Sequence, residues 1–184
     1  MLIVPVRPGL EMRLYQDSHA QELFDVVVAN RDHLNQWLPW PDSHKTTEDT
    51  RDFIHRSWTK LADPQISLGI FEDNRIVGGI GTHLRNAIDR NVSIGYWLVK
   101  DACGRGLMTT CCERLVRYCF MDLDVHRVWL EAAVGNLPSQ GVAQRIGMTQ
   151  EGITRDSHLV HGQWLSMTIW SILRPEWEAR QTAP

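Results

Sequence analysis

Cys103-Gly104-Arg105-Gly106-Leu107-Met108 lies between a strand-like run, Ser93-Ile94-Gly95-Tyr96-Trp97-Leu98-Val99, and a helical stretch beginning near Thr109. Two glycines where a strand hands over to a helix free the backbone N–H groups and let a phosphate approach closely. The chemistry this suits is anion binding, although a glycine pair at such a turn also serves as a plain tight connection. The four cysteines, Cys103, Cys111, Cys112 and Cys119, crowd into the same region without the paired CxxC spacing of a zinc or redox site. Met108, Cys112, Leu115 and Cys119 recur at helical spacing, so at least two of the cysteines read as small core residues, and no metal is expected.

The elements that must position this turn are readable on either side. Leu10 to Tyr15 alternates like a strand, and Asp17 or Ser18 is placed to cap a helix that carries Ala20, Leu23, Phe24, Val27 and Val28 on its apolar side. Prolines end helicity at Trp37-Leu38-Pro39-Trp40-Pro41, leaving a tryptophan-rich loop. Thr46 or Thr47 offers a second cap, with Glu48 and Asp49 suited to the positive end of a helix running to about Leu61. Ile66–Phe71 and Ile76–Gly81 read as a hairpin, and a third strand follows from Val92 to Val99. Beyond the glycine turn come a helix to about Met121, a strand over Arg127–Val134, a helix from about Pro138 to Ile146, and two strands, Gly152–Val160 and Trp164–Leu173, turning at His161-Gly162. The order β-α-α-β-β-β-α-β-α-β-β predicts a mixed sheet covered by helices. Ligands in such sheets sit beyond the carboxyl ends of strands, near Val99 and Asn136.

At 184 residues, 43% hydrophobic and 22% charged, the chain has the size and composition of one globular domain, taken as residues 1–184. A formal net charge of −3 argues against a general nucleic-acid binder, while a local basic patch can still hold a phosphorylated cofactor. The first residues are too short and too lightly charged for a signal sequence, and no apolar run approaches the roughly 20 residues of a membrane span, so a cytoplasmic protein with no membrane partner is expected.

The order of elements, the Ile94-Gly95-Tyr96-Trp97-Leu98 strand and the Cys103–Thr109 turn resemble the GNAT N-acetyltransferases. The block Asn136-Leu137-Pro138-Ser139-Gln140-Gly141-Val142-Ala143-Gln144-Arg145-Ile146-Gly147-Met148, followed by Glu151-Gly152, is similar to the branch of ribosomal-protein N-terminal acetyltransferases of the RimJ/RimL type. The resemblance implies a GNAT fold: α/β, with a mostly antiparallel mixed sheet, helices on both faces, and splayed central strands that hold acetyl-CoA. The family's acetyl-CoA loop usually reads Gln/Arg-x-x-Gly-x-Gly/Ala, and this chain departs from it with Cys103 in the first place and Met108 in the last.

By that resemblance Cys103, Gly104, Arg105, Gly106, Leu107, Met108 and Thr109 would cradle the pyrophosphate through main-chain N–H groups. Leu98 or Val99 would pair with the pantetheine arm. One backbone N–H nearby would polarise the thioester carbonyl, a contribution of about 3 kcal/mol. Asn136 and Ser139 fall where the family places side chains near the pantetheine and the sulfur; Asn136 equally suits a helix N-cap, and Ser139 either a solvated first-turn serine or the proton donor to the leaving thiolate. For the base, Glu131, His126, His158 and His161 are available. The related enzymes carry a glutamate seven residues after their Glu-Gly pair, and that count from Glu151 lands on His158. Glu131, on a central strand, could face the cleft or a buried partner. Among the eight tryptophans, Trp37 and Trp40 in the proline-bounded loop are candidates for rigid walls against a substrate, with loop packing as the alternative.

An acetyl-CoA-dependent transfer to a protein or peptide N-terminal α-amine, by direct attack in a ternary complex, is the function these expectations converge on. An α-amine of pKa near 8 is about a tenth neutral at pH 7, whereas a lysine amine is neutral in roughly one molecule in 2500. The alternatives are a small-amine acetyltransferase acting on a polyamine, amino sugar or antibiotic, and a non-catalytic CoA-binding module. A homo-oligomer is one assembly the resemblance allows.

Overall fold

A computed structural model describes residues 3–59, 65–86 and 88–182. The chain opens with β1 (Ile3–Arg7) and β2 (Leu10–Arg13), then α1 (Ala20–Ala29), α2 (Arg31–Asn35) and α3 (Thr47–Thr59). The hairpin β3 (Ser67–Glu72) and β4 (Arg75–Asn86) leads into β5 (Asn91–Leu98). After it come α4 (Leu107–Met121), β6 (Arg127–Ala133), α5 (Leu137–Arg145), β7 (Thr149–Val160), β8 (Gln163–Leu173) and α6 (Arg174–Gln181). The strands form one eight-stranded sheet in the order β1-β2-β3-β4-β5-β6-β8-β7, antiparallel except where β5 runs parallel to β6.

Local chemistry explains most boundaries. Asp73 and Asn74 both take positive φ at the β3–β4 turn, and His161 and Gly162 do so at β7–β8, the backbone of tight two-residue hairpins. The start of α3 is a reciprocal cap: the Asp49 N–H donates to Thr46 Oγ1 at 3.2 Å while the Thr46 N–H donates to Asp49 Oδ2 at 2.9 Å. The part of that helix expected to reach Leu61 lies outside the described residues.

Three expectations need correction. The cap before α1 comes from neither Asp17 nor Ser18; the Gln16 N–H donates to His19 Nδ1 at 2.9 Å, and the Asp17 carboxylate pairs instead with His55 and Arg51 on α3. An additional strand, β1, precedes the first expected one, and its Pro5 is tolerated because β1 is an edge strand with a partner on one side only. The chain also closes with α6, which enters through Pro175 in its first turn.

Two apolar cores sandwich the sheet. On one face α4 buries Leu107, Cys111, Cys112, Leu115 and Cys119 against Val92, Ile94, Val128 and Leu130, with Val142 and Ala143 of α5 and Trp177 of α6 completing the layer. The buried cysteines are therefore packing residues, and burial pushes the Cys111 and Cys119 thiols up to about 12. On the other face Ala20, Leu23 and Val27 of α1 and Ile54 of α3 cover Tyr15, Phe71 and Ile76. Truncating a fully buried leucine such as Leu115 or Leu23 costs about 2–5 kcal/mol.

What positions a ligand is a parting of strands. β5 and β6 pair only at Asn91–Arg127, Val92–Val128 and Ser93–Trp129. From there β6 follows β8 through every residue to Ala133, while β5 stays with β4 as far as Leu98. The two strands thus diverge as a wedge, leaving one edge of β5 from Ile94 to Leu98 without a strand neighbour among the described residues.

Candidate active site

An unpaired strand edge presents alternating N–H and C=O groups, and an extended molecule with its own amides can pair with it as a further strand would. At the mouth of the wedge the chain leaves β5 through Val99, whose N–H donates to Val77 O at 2.9 Å. The Lys100 N–H donates to the Asn30 side chain at 2.9 Å, anchoring the exit to the end of α1. Gly104 and Gly106 follow, with φ of 74° and 76°. A Cβ at either would meet nothing within 4 Å, so the demand for glycine is one of backbone conformation rather than space. The first bond of α4 runs from the Thr110 N–H to Gly106 O, which leaves the Leu107, Met108 and Thr109 amides without an intrahelical acceptor at the positive end of the helix.

The two departures from the family loop have local accounts. Met108 is buried and packs into the α4 core, so its side chain is absorbed by the fold and its N–H alone faces the turn. Cys103 Sγ lies 3.4 Å from Val99 O and 3.8 Å from His33 Nε2, and burial raises its thiol above the usual range. The Arg105 guanidinium forms a two-point pair with Glu72 at 2.8 and 2.9 Å, which offsets the charge a phosphate would otherwise meet. A second cation, Arg145 of α5, sits over the first turn of α4 with its Nε 3.0 Å from Thr109 Oγ1. Spacing offered no signal for Arg145, because α4 and α5 meet only in the fold.

Across the wedge, Asn136 caps α5: its Oδ1 accepts from the Ser139 N–H at 3.2 Å. Gln140 bonds back to Ala133 O and Val134 O at 3.1 and 2.8 Å, holding the β6–α5 loop closed. Ser139 reaches Tyr96 of β5, whose hydroxyl lies 3.0 Å from Ser139 Oγ and 3.3 Å from Ser139 O. This pair spans the two sides of the wedge. Burial lifts the Tyr96 phenol well above its ordinary range, with nearby Cys112 adding to the effect, so the hydroxyl stays protonated. Tyr96 belongs to the strand motif read from the sequence, yet its bond to Ser139 joins residues 43 apart and is set by the fold.

Beside β5 opens a cleft of about 580 Å³, floored by Gly95, Tyr96 and Trp97 and lined by Trp40, His44, Phe53, Arg56, His83 and His158 among others. Trp40 packs edge-on to Trp97 at 5.7 Å and to His44 at 5.4 Å. Gly79 makes this possible, since a Cβ there would come within 2.5 Å of the Trp97 indole nitrogen. His44 is buried with its Nδ1 2.9 Å from Thr50 Oγ1, and burial lowers its pKa. The structure separates the two loop tryptophans: Trp40 lines the cleft, while the Trp37 ring lies 3.5 Å from where a Gly135 Cβ would stand, against the β6–α5 loop. It separates the carboxylate and imidazole candidates too. His158 of β7 lines the cleft, whereas Glu131 is exposed on β6 and is not part of that lining. His161 holds the β7–β8 turn to the tryptophan loop through Leu38 O at 3.2 Å and Asp42 at 3.3 Å, and the His126 N–H donates to Arg90 O at the far end of β6. His44, just before α3, and His83, on β4, are cleft residues that sequence reasoning passed over, because neither segment carries a motif that marks them.

The family described as Acetyltransferase (GNAT) domain matches residues 10–149. YdaF of Bacillus subtilis (strain 168) is 32% identical over 183 residues, covering 98% of this chain and 100% of the relative. Among solved structures, the RimL ribosomal L7/L12 α-N-protein acetyltransferase in complex with coenzyme A superposes with a TM-score of 0.89 at 26% identity, covering 94% of this chain and 98% of that one. The acetyltransferase from Salmonella typhimurium that modifies the N-terminal serine of ribosomal protein L7/L12 gives 0.83 at 26% identity, covering 94% and 99%. With an unpaired strand edge running into a glycine turn and a helix start of free amides, as an extended thioester with a pyrophosphate tail requires, this chain belongs to the GNAT acetyltransferase family and is an acetyl-CoA-dependent N-acetyltransferase.

Proposed function

We propose that the enzyme acetylates the α-amino group at the N-terminus of a ribosomal protein, by direct attack in a ternary complex. The observation that carries this reading is the meeting of wedge and cleft at Tyr96: one residue lines the acceptor cleft and holds Ser139 across the cofactor wedge. The relatives support the acceptor class, since the curated ribosomal-protein-serine acetyltransferase of Escherichia coli (strain K12), 22% identical over 175 residues, is named for a ribosomal protein and the RimL structure for α-N-protein acetylation of ribosomal L7/L12. An enzyme that meets such termini would work in the cytoplasm, and among the described residues no helix is long and apolar enough to cross a membrane. We take residues 1–184 as a single domain.

Acetyl-CoA supplies an acetyl group already activated as a thioester. The chain's own part is to bind, orient and move protons. The amides of Leu107, Met108 and Thr109 and the turn at Gly104 and Gly106 would receive the pyrophosphate, with Arg145 beside them. The free edge of β5 at Leu98 and Val99 would align the arm, and an N–H of that edge would polarise the carbonyl. Gly95 leaves open space on the cleft floor for the acceptor amine to approach. As the new N–C bond forms, nitrogen loses a proton to water or to His158; as the C–S bond breaks, the thiolate takes a proton from Ser139, whose hydroxyl is held by Tyr96 and regains its proton from solvent.

Incubating the enzyme with acetyl-CoA and synthetic N-terminal peptides, and reading acetylation by mass spectrometry, tests this reading. Acetylation confined to the α-amine is expected. Turnover of spermidine or an aminoglycoside with none of the peptides would overturn it.

A further inference from the structure

His44 stands between the tryptophan loop and α3 and is set into the wall of the acceptor cleft, 6% exposed. Its ring is held on two sides, with Trp40 edge-on at 5.4 Å and Phe53 edge-on at 5.6 Å between centroids. Its main chain is held as well, since Arg31 Nη2 donates to His44 O at 2.6 Å. The tautomer follows from a neighbour. Thr50 Oγ1 donates to Thr46 O at 3.4 Å, so towards His44 the same oxygen accepts, and a hydrogen on Nδ1 fills the 2.9 Å contact. Burial keeps the ring neutral, lowering its pKa against the pull of Asp49, and Arg56 and Arg31 act in the same direction as burial. A neutral ring protonated on Nδ1 keeps a bare lone pair on Nε2. That nitrogen has no partner among the described residues and is open to the cleft. A recessed acceptor left without a donor is costly, so a ligand that supplies one is favoured over a ligand of the same shape that does not.

We infer that His44 reads the acceptor chain: its Nε2 takes a hydrogen bond from a hydroxyl or amide donor on the side chain of the acceptor's second or third residue. The inference rests on the α-amine reading above and names a specificity contact within it. Trp97 of β5, Trp40 and His44 stand in a row, with ring centroids 5.7 and then 5.4 Å apart. With the amine held at the edge of β5 and about 3.4 Å gained per extended residue, the second and third residues come level with His44. Because the imidazole is recessed between Trp40 and Phe53, a side chain rather than the acceptor's backbone reaches it.

The test measures kcat/KM at saturating acetyl-CoA for peptides that vary at the second or the third residue in two matched pairs. Threonine and valine differ by a hydroxyl donor; O-methylserine and norvaline differ by an ether oxygen that only accepts. At one of the two positions the wild-type enzyme is expected to favour threonine over valine by about tenfold and to treat the second pair alike. His44→Phe should bring threonine and valine within about twofold of each other, chiefly by loss on the threonine peptide. Thr50→Val deprives the Nδ1 hydrogen of its acceptor, so the ring can carry its proton on Nε2, and O-methylserine should gain about fivefold over norvaline. A merely structural role for His44 would not produce that exchange. Melting temperature and acetyl-CoA affinity report the folding of both variants; should His44→Phe unfold, the wild-type ratios and Thr50→Val still decide. Equal turnover of threonine and valine at both positions by the wild type, a threonine preference that survives His44→Phe, or no gain for O-methylserine in Thr50→Val overturns the inference while leaving α-amine acetylation standing. Turnover of no peptide at all removes the α-amine reading, and this inference with it.

Discussion

Replacing Tyr96 with phenylalanine keeps the ring and removes one oxygen, the one 3.0 Å from Ser139 Oγ and 3.3 Å from Ser139 O. For the fold this deletes one neutral hydrogen bond, a net loss of about 1 kcal/mol, or roughly 2–4 °C in melting temperature for a chain of this size. For catalysis the effect follows from what the bond does to the serine. A hydroxyl held by Tyr96 occupies one of three staggered χ1 positions; released, it divides its time among them, which by itself lowers kcat about threefold. Losing the polarisation that the phenol O–H supplies extends this to about tenfold. Ser139→Ala removes the proposed proton donor outright, and about a hundredfold fall in kcat is expected. Because Tyr96 acts through Ser139, the double variant should match Ser139→Ala within about twofold, with the KM for acetyl-CoA little changed in all three. Stopped-time assays of CoA release with a thiol reagent, on wild type, both single variants and the double, measure this. If the two single losses multiply in the double variant, Tyr96 and Ser139 act independently, and the bond between them has no part in the chemistry.

Three further outcomes follow from the same geometry. Gly106→Ala places a Cβ on a backbone at φ 76°, a strain of about 1–2 kcal/mol, so calorimetric acetyl-CoA affinity should fall by about tenfold, whereas Gly106→Asn, which tolerates that region, should fall less; equal losses would point to space rather than conformation. His158→Gln should lower kcat about tenfold while leaving acetyl-CoA affinity intact; an unchanged kcat would assign proton removal to water alone. The Glu151 carboxyl is held below its usual range chiefly by its hydrogen bond with Arg127, assisted by Ser171, a tie from β7 to β6 across β8. A depressed carboxyl contributes stability above its unfolded pKa, near 4.5, and loses it as the pH falls through the lower folded value. The melting temperature should therefore fall more steeply for wild type than for Glu151→Gln in that acid range, and parallel curves would show that the tie contributes nothing.

How much of the site could be read along the chain depends on how local its cause is. The glycine turn was legible because two residues that must take positive φ sit next to a helix start, and this needs no distant partner. Asn136 as an N-cap was legible for the same reason. Met108 was read as a departure from the family loop, and only its burial between α4 and the sheet shows why the departure is tolerated. Trp37 and Trp40 looked equivalent in their loop, yet one packs on Gly135 and the other walls the cleft, because the loop turns between them. β1 escaped notice since Pro5 reads as a strand breaker until its edge position is known.

The sequence by itself determined most of the strands and helices from β2 to β8, the glycine turn and the family, since hydrophobic period, turn residues and motif order are properties of neighbouring residues. Tertiary structure alone decided that β5 and β6 part after three pairs, that Arg105 is held by Glu72 while Arg145 approaches α4, and that Tyr96 meets Ser139. Each of these joins residues far apart in the chain, and their distances are fixed by packing against two cores rather than by any local preference.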